Sequence, residues 1–441
     1  MKTKIKLFFA ASALLLAGLS SGQVNAQTRV TNLRPYDKTG INVFESPKDT
    51  NTYFEDVHVK FGAGFTQGFQ GLKHENAEGG LYNMTPGFNL ASANLFMDVQ
   101  LADGIRLNLT SYLAARHHNE TWVKGGYIQI DKLPFKGQVW DNIMKLTTIR
   151  VGHMEINYGD QHFRRSDGGH TLYNPFAENY IMDAFTTEIA GEVLVRKNAL
   201  FGMVGVSNGM IRGSIDPLVP TPQDPNIHKS PSVYVKGGFD KQLTEALRLR
   251  LSASVYTNNS SGSNTLYGGD RTGSNYNMVM ERAGTTSTTN AFSGRVNPGF
   301  TKEIHALQLN GFVKARGLEL FGTYEGAQGR SRTETDERKA NQYAIDALYR
   351  FGKEENLYFG VRYNTVNARL ANVAATATAP ATIYTEDMKV NRIAYGAGWF
   401  VTRNLLLKAE YVDQEYKNLP ATDYRNGGQF NGYVIQAVVG F

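Results

Sequence analysis

The chain contains no cysteine. That excludes disulfides, thiolate metal sites, cysteine nucleophiles and a lipid-modified cysteine near the N-terminus. Proline is scarce, at 13 of 441 residues. Beyond the first 26 residues no segment is apolar enough for a membrane-spanning helix. No strong charge excess exists either. The formal net charge of +6 falls to +3 if residues 1–26 are removed, because Lys2, Lys4 and Lys6 leave and no acidic residue does. A balance that small, spread along the chain, argues against nucleic acid as a partner.

What is present begins at the N-terminus. Lys2, Lys4 and Lys6 precede an apolar run from Leu7 to Leu19, and Val24-Asn25-Ala26 precedes Gln27. This predicts a secretory signal peptide over 1–26, with an A-x-A-like cleavage site. Export without cysteine fits a bacterial envelope.

The main signal has a period of two. Leu247, Leu249, Leu251, Ala253 and Val255 alternate with Arg248, Arg250, Ser252, Ser254 and Tyr256. Leu357, Phe359, Val361 and Tyr363 alternate with Tyr358, Arg362 and Asn364. Such alternation makes strands with one apolar and one wet face. It predicts strands near 57–69, 88–101, 105–118, 120–131, 146–156, 186–196, 199–208, 232–240, 246–258, 303–315, 317–326, 341–351, 357–367, 389–401, 404–415 and 429–441. The pattern is blurred in 120–131 and 186–196. Short turns, such as Ala102-Asp103-Gly104 and Lys197-Asn198, alternate with long connections, including 157–185, 209–231, 259–302, 327–340 and 368–388. One connection, 132–145, is long where a short turn is expected, and Gln138 to Lys145 within it reads as a helical turn.

An even strand count with long loops on one rim predicts an all-β fold, a transmembrane antiparallel β-barrel of about sixteen strands over 56–441. A soluble sandwich or propeller is the alternative, but no repeat of propeller-blade length is visible. A closed barrel in lipid leaves no unpaired edge. It also gives a role to Tyr349, Phe351, Trp399 and Tyr433 near strand ends, where interfacial girdles form. Residues 27–55 do not alternate and read as a periplasmic lead-in. The other placement considered for them is a small plug in the barrel mouth.

The signal peptide, the strand count, the segment RVGHMEINYGD, the long loop after it and the terminal Gly440-Phe441 together resemble bacterial outer-membrane porins, most nearly the phosphate-selective porin O and P family. The resemblance covers nearly all of the mature chain. It implies a homotrimer in the outer membrane of a Gram-negative bacterium, with a third outer loop folded into the lumen. It further implies passage of small hydrophilic solutes or anions, contact with outer-membrane lipid and lipopolysaccharide, and delivery by the barrel assembly machinery through the C-terminal strand. Phosphate-specific members carry an arginine ladder and a lysine cluster, and no such ladder is placed residue by residue here.

The third outer loop is 157–185. Folded inward, it would set His162, Arg164, Arg165, Asp167 and Glu178 at a constriction. The wet strand faces would line the pore with Arg106, Lys236, Arg248, Arg250, Asp346, Arg350, Arg362, Arg392, Lys408 and Glu410, giving a polar inner face through every strand. If the turn at 352–356 is symmetric, Asp346 lies opposite Arg362. The wall is then either self-neutralising or mildly anion-preferring. His153, Glu155, Asp160 and His162 are residue types that ligate metals, but four ligands rarely converge within ten residues of extended chain, so no metal is expected. Ser166, Asp167 and His170 are close in sequence only, which is poor support for a catalytic arrangement. The reading is therefore a passive diffusion channel without cofactor. The alternatives are a lipase- or protease-like barrel enzyme, or a closed barrel serving adhesion or secretion.

Overall fold

The structure is a computed structural model, and it describes residues 30, 33–48, 54–113, 121–135, 137–210, 217–269, 277–292, 294–377 and 379–441. The signal peptide expected at 1–26 lies outside the described residues, as does the end of the strand expected over 105–118.

Sixteen long strands form one antiparallel sheet. They are β1 (His58–Glu75), β2 (Ser92–Ala102), β3 (Ile105–Leu113), β4 (Thr121–Ile130), β5 (Thr147–Glu155), β6 (Thr187–Lys197), β7 (Leu200–Ser207) and β8 (Ser232–Thr244). There follow β9 (Leu247–Asn258), β10 (Glu303–Ala315), β11 (Leu318–Arg330), β12 (Arg338–Phe351), β13 (Leu357–Ala368), β14 (Met388–Thr402), β15 (Leu405–Lys417) and β16 (Gln429–Gly440). Each pairs with its sequence neighbours, and β1 closes the ring by pairing with both β2 and β16. A further two-residue piece, Gly87–Phe88, pairs with Phe69 and Gln70 where β1 runs beyond the start of β2. Phe441 completes the closure: its N–H donates to the Ala63 carbonyl at 3.0 Å, and the Ala63 N–H donates back at 2.9 Å. The sequence pattern thus finds every long strand. The helical turn expected after 132 is helix α1 (Gln138–Met144).

The alternation maps onto the two faces of the wall. In β12, Arg338, Ala340, Gln342, Ala344, Asp346, Leu348 and Arg350 are buried, whereas Tyr343, Ile345 and Tyr349 are about half exposed. Leu251, Phe359, Trp399, Tyr433 and Ile435 continue the exposed apolar surface on other strands. A closed sheet that is apolar outside and polar-lined inside is the form a barrel takes in hydrocarbon.

The blurred alternation in β4 has a local cause. Thr110 pairs with Gly125 and Ser111 pairs with Val123, so Lys124 is an extra residue in the ladder. A bulge of this kind shifts the face on which the following side chains point. Gly152 answers to crowding of another kind: a Cβ there would sit 2.2 Å from the Gly126 carbonyl oxygen.

Two expectations need correction. The inner face is not polar through every strand. Val366, Val390, Val412, Phe430 and Val434 are buried inward near the long-loop rim, where Leu266, Met280, Val296 and Phe300 of 259–302 and Ile181 and Met182 of 157–185 pack in the same apolar cluster. Long loops that turn inward carry apolar side chains, and those need apolar partners. The lead-in is not clear of the barrel either. Among its described residues, Tyr36 stacks on Phe96 with ring centroids 3.9 Å apart, and Phe44 packs against Phe312 at 5.4 Å. These contacts match the tucked placement.

The lipid-facing assignment has a direct test. Ile345 is 53% exposed in the middle of β12. Replacing Ile345 with Arg is expected to destabilise folding into lipid vesicles by about 2–4 kcal/mol, read from urea titration. A water-filled exterior would leave the midpoint unchanged.

Candidate functional site

The third loop departs from the wall after β5 and returns at β6, and its polar groups meet inward-facing side chains from around the ring. Asp160 is bound bidentately by Arg250, with Nε and Nη2 each 2.8 Å from a carboxylate oxygen. Lys236 is 2.7 Å from the same carboxylate, and Ser252 donates to it at 2.7 Å. Arg164 reaches Glu319 at 2.7 Å, and Glu319 also accepts from Arg350 at 3.0 Å. Tyr180 donates to Asp346 at 3.0 Å. Loop backbone groups take part as well. The Ile181 N–H donates to Asn364, the Met182 N–H to Gln342, and the Ala177 and Glu178 N–H groups to Glu410. Lys408 donates to the carbonyls of Thr171, Asn174 and Phe176 at 2.8, 2.9 and 2.8 Å. The loop also presses close to the wall: a Cβ on Gly169 would sit 2.1 Å from the Ala93 Cα.

Each site residue anticipated from sequence now has a location. Asp346 pairs in register with Arg362, which binds it through Nε and Nη2 at 2.7 and 2.8 Å. Arg392 donates to Gln414 and to the Asn179 carbonyl, both at 2.6 Å. Arg106 is buried against Asp131. Arg248 is partly exposed at the short-turn rim and forms a two-pronged pair with Asp240. Lys408 and Glu410 do not serve each other; both engage the third loop's backbone. Within the loop, Arg165 binds Asp183 at 3.0 and 2.7 Å, Asp167 pairs with Lys124, and the Glu178 side chain accepts from Asn277 at 3.1 Å.

The potential metal ligands do not form one four-membered cluster. His162 meets Glu155 through Nδ1, whereas Asp160 is taken by Arg250 and Lys236. Of the residues weighed for catalysis, Ser166 donates to the Ala177 carbonyl and His170 bonds the Tyr36 carbonyl, so neither partners the other. Burial pushes the His170 imidazole down to about 4, which keeps it neutral at ordinary pH.

Space remains on one side of the loop. A cavity of about 190 Å³ lies between the third loop, the lead-in and the inner faces of β2 to β5. Its charged lining is Arg34, Lys124, Arg150 and Arg165 with Glu155 and Asp167, and His162 and His170 border it. Thus three of the five anticipated constriction residues reach the cavity, and none of the ten anticipated pore-lining residues does. A second cavity of about 440 Å³ opens at the short-turn rim and includes Arg248 and Arg350. Sequence reasoning missed Arg34, Lys124 and Arg150. Arg150 could have been found, because it sits inside a predicted strand. Lys124 was concealed by the bulge. Arg34 lies in a segment without periodicity, and its guanidinium is 3.5 Å from the Tyr173 ring centroid while donating to the Gly40 and Phe163 carbonyls.

The Asp160 cluster generates two expectations. Burial alone would raise the Asp160 carboxyl, but Lys236 and Arg250 hold it well below the usual carboxylate range. A depressed folded-state value contributes stability above the ordinary carboxylate value of about 4, and that stability is lost only as pH falls through the lower one. The contribution of Asp160 to the protease resistance of 157–185 should therefore be constant from pH 8 to 5. Replacing Asp160 with Asn leaves buried cations short of a counter-charge and is expected to cost about 3 kcal/mol, with the loop becoming cleavable. A variant as resistant as the parent would show that Asp160 does not anchor the loop.

No family model matches the sequence, and no curated protein does. Among solved structures, in-vitro folded OmpT, an outer membrane protein of Vibrio cholerae, is similar at 10% identity, 88% coverage of this chain, 99% of that chain and a TM-score of 0.50. OmpF of Salmonella typhi in complex with daunomycin is similar at 10% identity, 87% and 97% coverage and a TM-score of 0.44. OpdL of Pseudomonas aeruginosa is similar at 9% identity, 87% and 98% coverage and a TM-score of 0.41. At these identities the likeness to OmpT shows a shared fold alone: a closed antiparallel barrel of the kind found in outer membranes.

Proposed function

We propose that this chain is an outer-membrane channel through which small hydrophilic solutes pass down their gradients. The observation that carries the reading is the polar cavity held between the third loop and the inner faces of β2 to β5, within a barrel whose outside is apolar. The passage is eccentric. Asn108, Thr110, Lys124, Tyr127, Arg150 and Glu155 form its wall side, and His162, Arg165 and Asp167 of the third loop complete it. Four cations against two carboxylates in that lining favour a mild anion preference. No chemistry on the solute is part of this reading. Assembly as a trimer belongs to the same proposal and rests on the porin resemblance.

A second reading has its own supporting observation. Lys236, Arg250, Arg362, Arg392 and Lys408 are all engaged by the third loop, which leaves few wall charges free to meet a solute. A barrel closed in this way would serve adhesion or secretion instead.

Single-channel recording in planar bilayers separates the two. The channel reading expects discrete steps, a reversal potential displaced toward chloride, and a larger, less selective current after deletion of 160–178. Replacing Thr110 with Trp should reduce the parent current severalfold by filling the eccentric passage. Steps unaffected by that substitution would move the passage elsewhere, and a chain that stays silent both before and after the deletion would favour the closed barrel.

A further inference from the structure

Residues 33–48 form no strand with the wall. Their regular structure, among the described residues, is a single three-residue 3-10 turn at Lys38–Gly40. Yet the segment spans the short-turn half of the barrel interior. Lys38 N–H donates to the Arg403 carbonyl at 2.9 Å on the β14–β15 turn. Tyr36 donates to Asp98 at 3.1 Å on β2. Asn42 donates to Glu319 at 2.8 Å on β11 and accepts from Arg164 of the third loop. Lys48 donates to the Asp131 and Thr147 carbonyls beside β5.

The strongest attachment is Glu45. Arg250 binds it through Nη1 and Nη2 at 2.8 and 2.9 Å, and Lys236 lies 3.0 Å away. These two wall cations are therefore shared between one carboxylate from the third loop and one from the N-terminal segment. The segment also separates the two cavities. Leu33, Arg34, Tyr36, Phe44 and Ser46 line the inner one, whereas Lys38, Ile41 and Asn42 line the one at the rim.

We infer that residues 33–48 are a removable lumen plug latched by Glu45, and that this latch sets the width of the passage on the short-turn side and whether Lys236 and Arg250 are uncovered to it. Removal is feasible because the segment has no ladder to break and because Lys236 and Arg250 retain Asp160 when Glu45 leaves. The cations then keep one of their two carboxylates, so opening costs the loss of one counter-charge and not of both. The third loop lacks this freedom, being tied to the wall at both ends. The inference rests on the channel reading and deepens it.

Three proteins test it in planar bilayers: the full chain, a deletion of residues 33–48 and the single variant Glu45→Gln. Folding of each is first verified by heat-modifiable migration in SDS gels. The deletion is expected to raise single-channel conductance at least threefold by joining the two cavities. Glu45→Gln is expected to raise the fraction of time in the high-conductance state and to displace the reversal potential further toward chloride, since the departing segment uncovers Lys236 and Arg250 with Asp160 as their remaining carboxylate. A folded deletion with the conductance of the full chain overturns the plug while leaving the channel reading intact. If neither conducts, the channel reading falls and the plug with it. A silent full chain with a conducting deletion supports the plug in its tightest form. Should the deletion not fold, Glu45→Gln carries the test alone, and unchanged gating and reversal potential overturn the latch.

Discussion

Closure of the sheet is the constraint on which everything else depends. Pairing of β1 with both β2 and β16 leaves no row of unpaired backbone groups, and hydrocarbon offers no water to satisfy such a row. Once the ring closes, each strand has one face in lipid and one inside. A one-residue slip in register would exchange the two faces, so alternation and closure enforce each other. The exposed Leu251, Ile345 and Phe359 and the buried Arg250, Asp346 and Arg362 are the two outcomes of one geometric rule.

Closure creates an electrostatic problem inside. Strands that place Lys236, Arg250, Arg350 and Arg362 inward bury guanidinium and ammonium groups, which need counter-charges. Some come from the wall itself, as Asp346 does for Arg362 across the β12–β13 ladder. Others arrive on inserted chain: Asp160 from the third loop and Glu45 from the N-terminal segment meet at Arg250 and Lys236. The same ion pairs that neutralise the wall also hold the inserted segments. Where these segments pack against the wall they leave a cavity along β2 to β5, and Arg34, Lys124, Arg150 and Arg165 line it. The free space in such a bore is whatever the packed segments leave uncovered.

The sequence showed the strands because a lipid-facing wall imposes period two on every one of them. It showed the inward direction of Arg362 because an arginine in mid-strand has nowhere else to point at tolerable cost. It found β4 but blurred there, because the extra residue Lys124 interrupts the ladder and the period with it. It failed at the outer ends of the strands, where Val366, Val390 and Val412 face inward on apolar loop residues. There both faces are apolar for different reasons, and hydropathy cannot tell lipid from a packed loop.

What the sequence determined by itself is the wall: the number of long strands, the two faces of each and the rim that carries the long loops. These follow from local chemistry repeated at fixed spacing. What only the tertiary structure decided is the interior. Residues 33–48 and 157–185 have no periodicity, and their partners lie far away in sequence, so Glu45 reaches Arg250 and Tyr180 reaches Asp346 only after the ring has closed around them. The location of the cavity is a remainder, the space left after those long-range contacts form. No local pattern can encode a remainder.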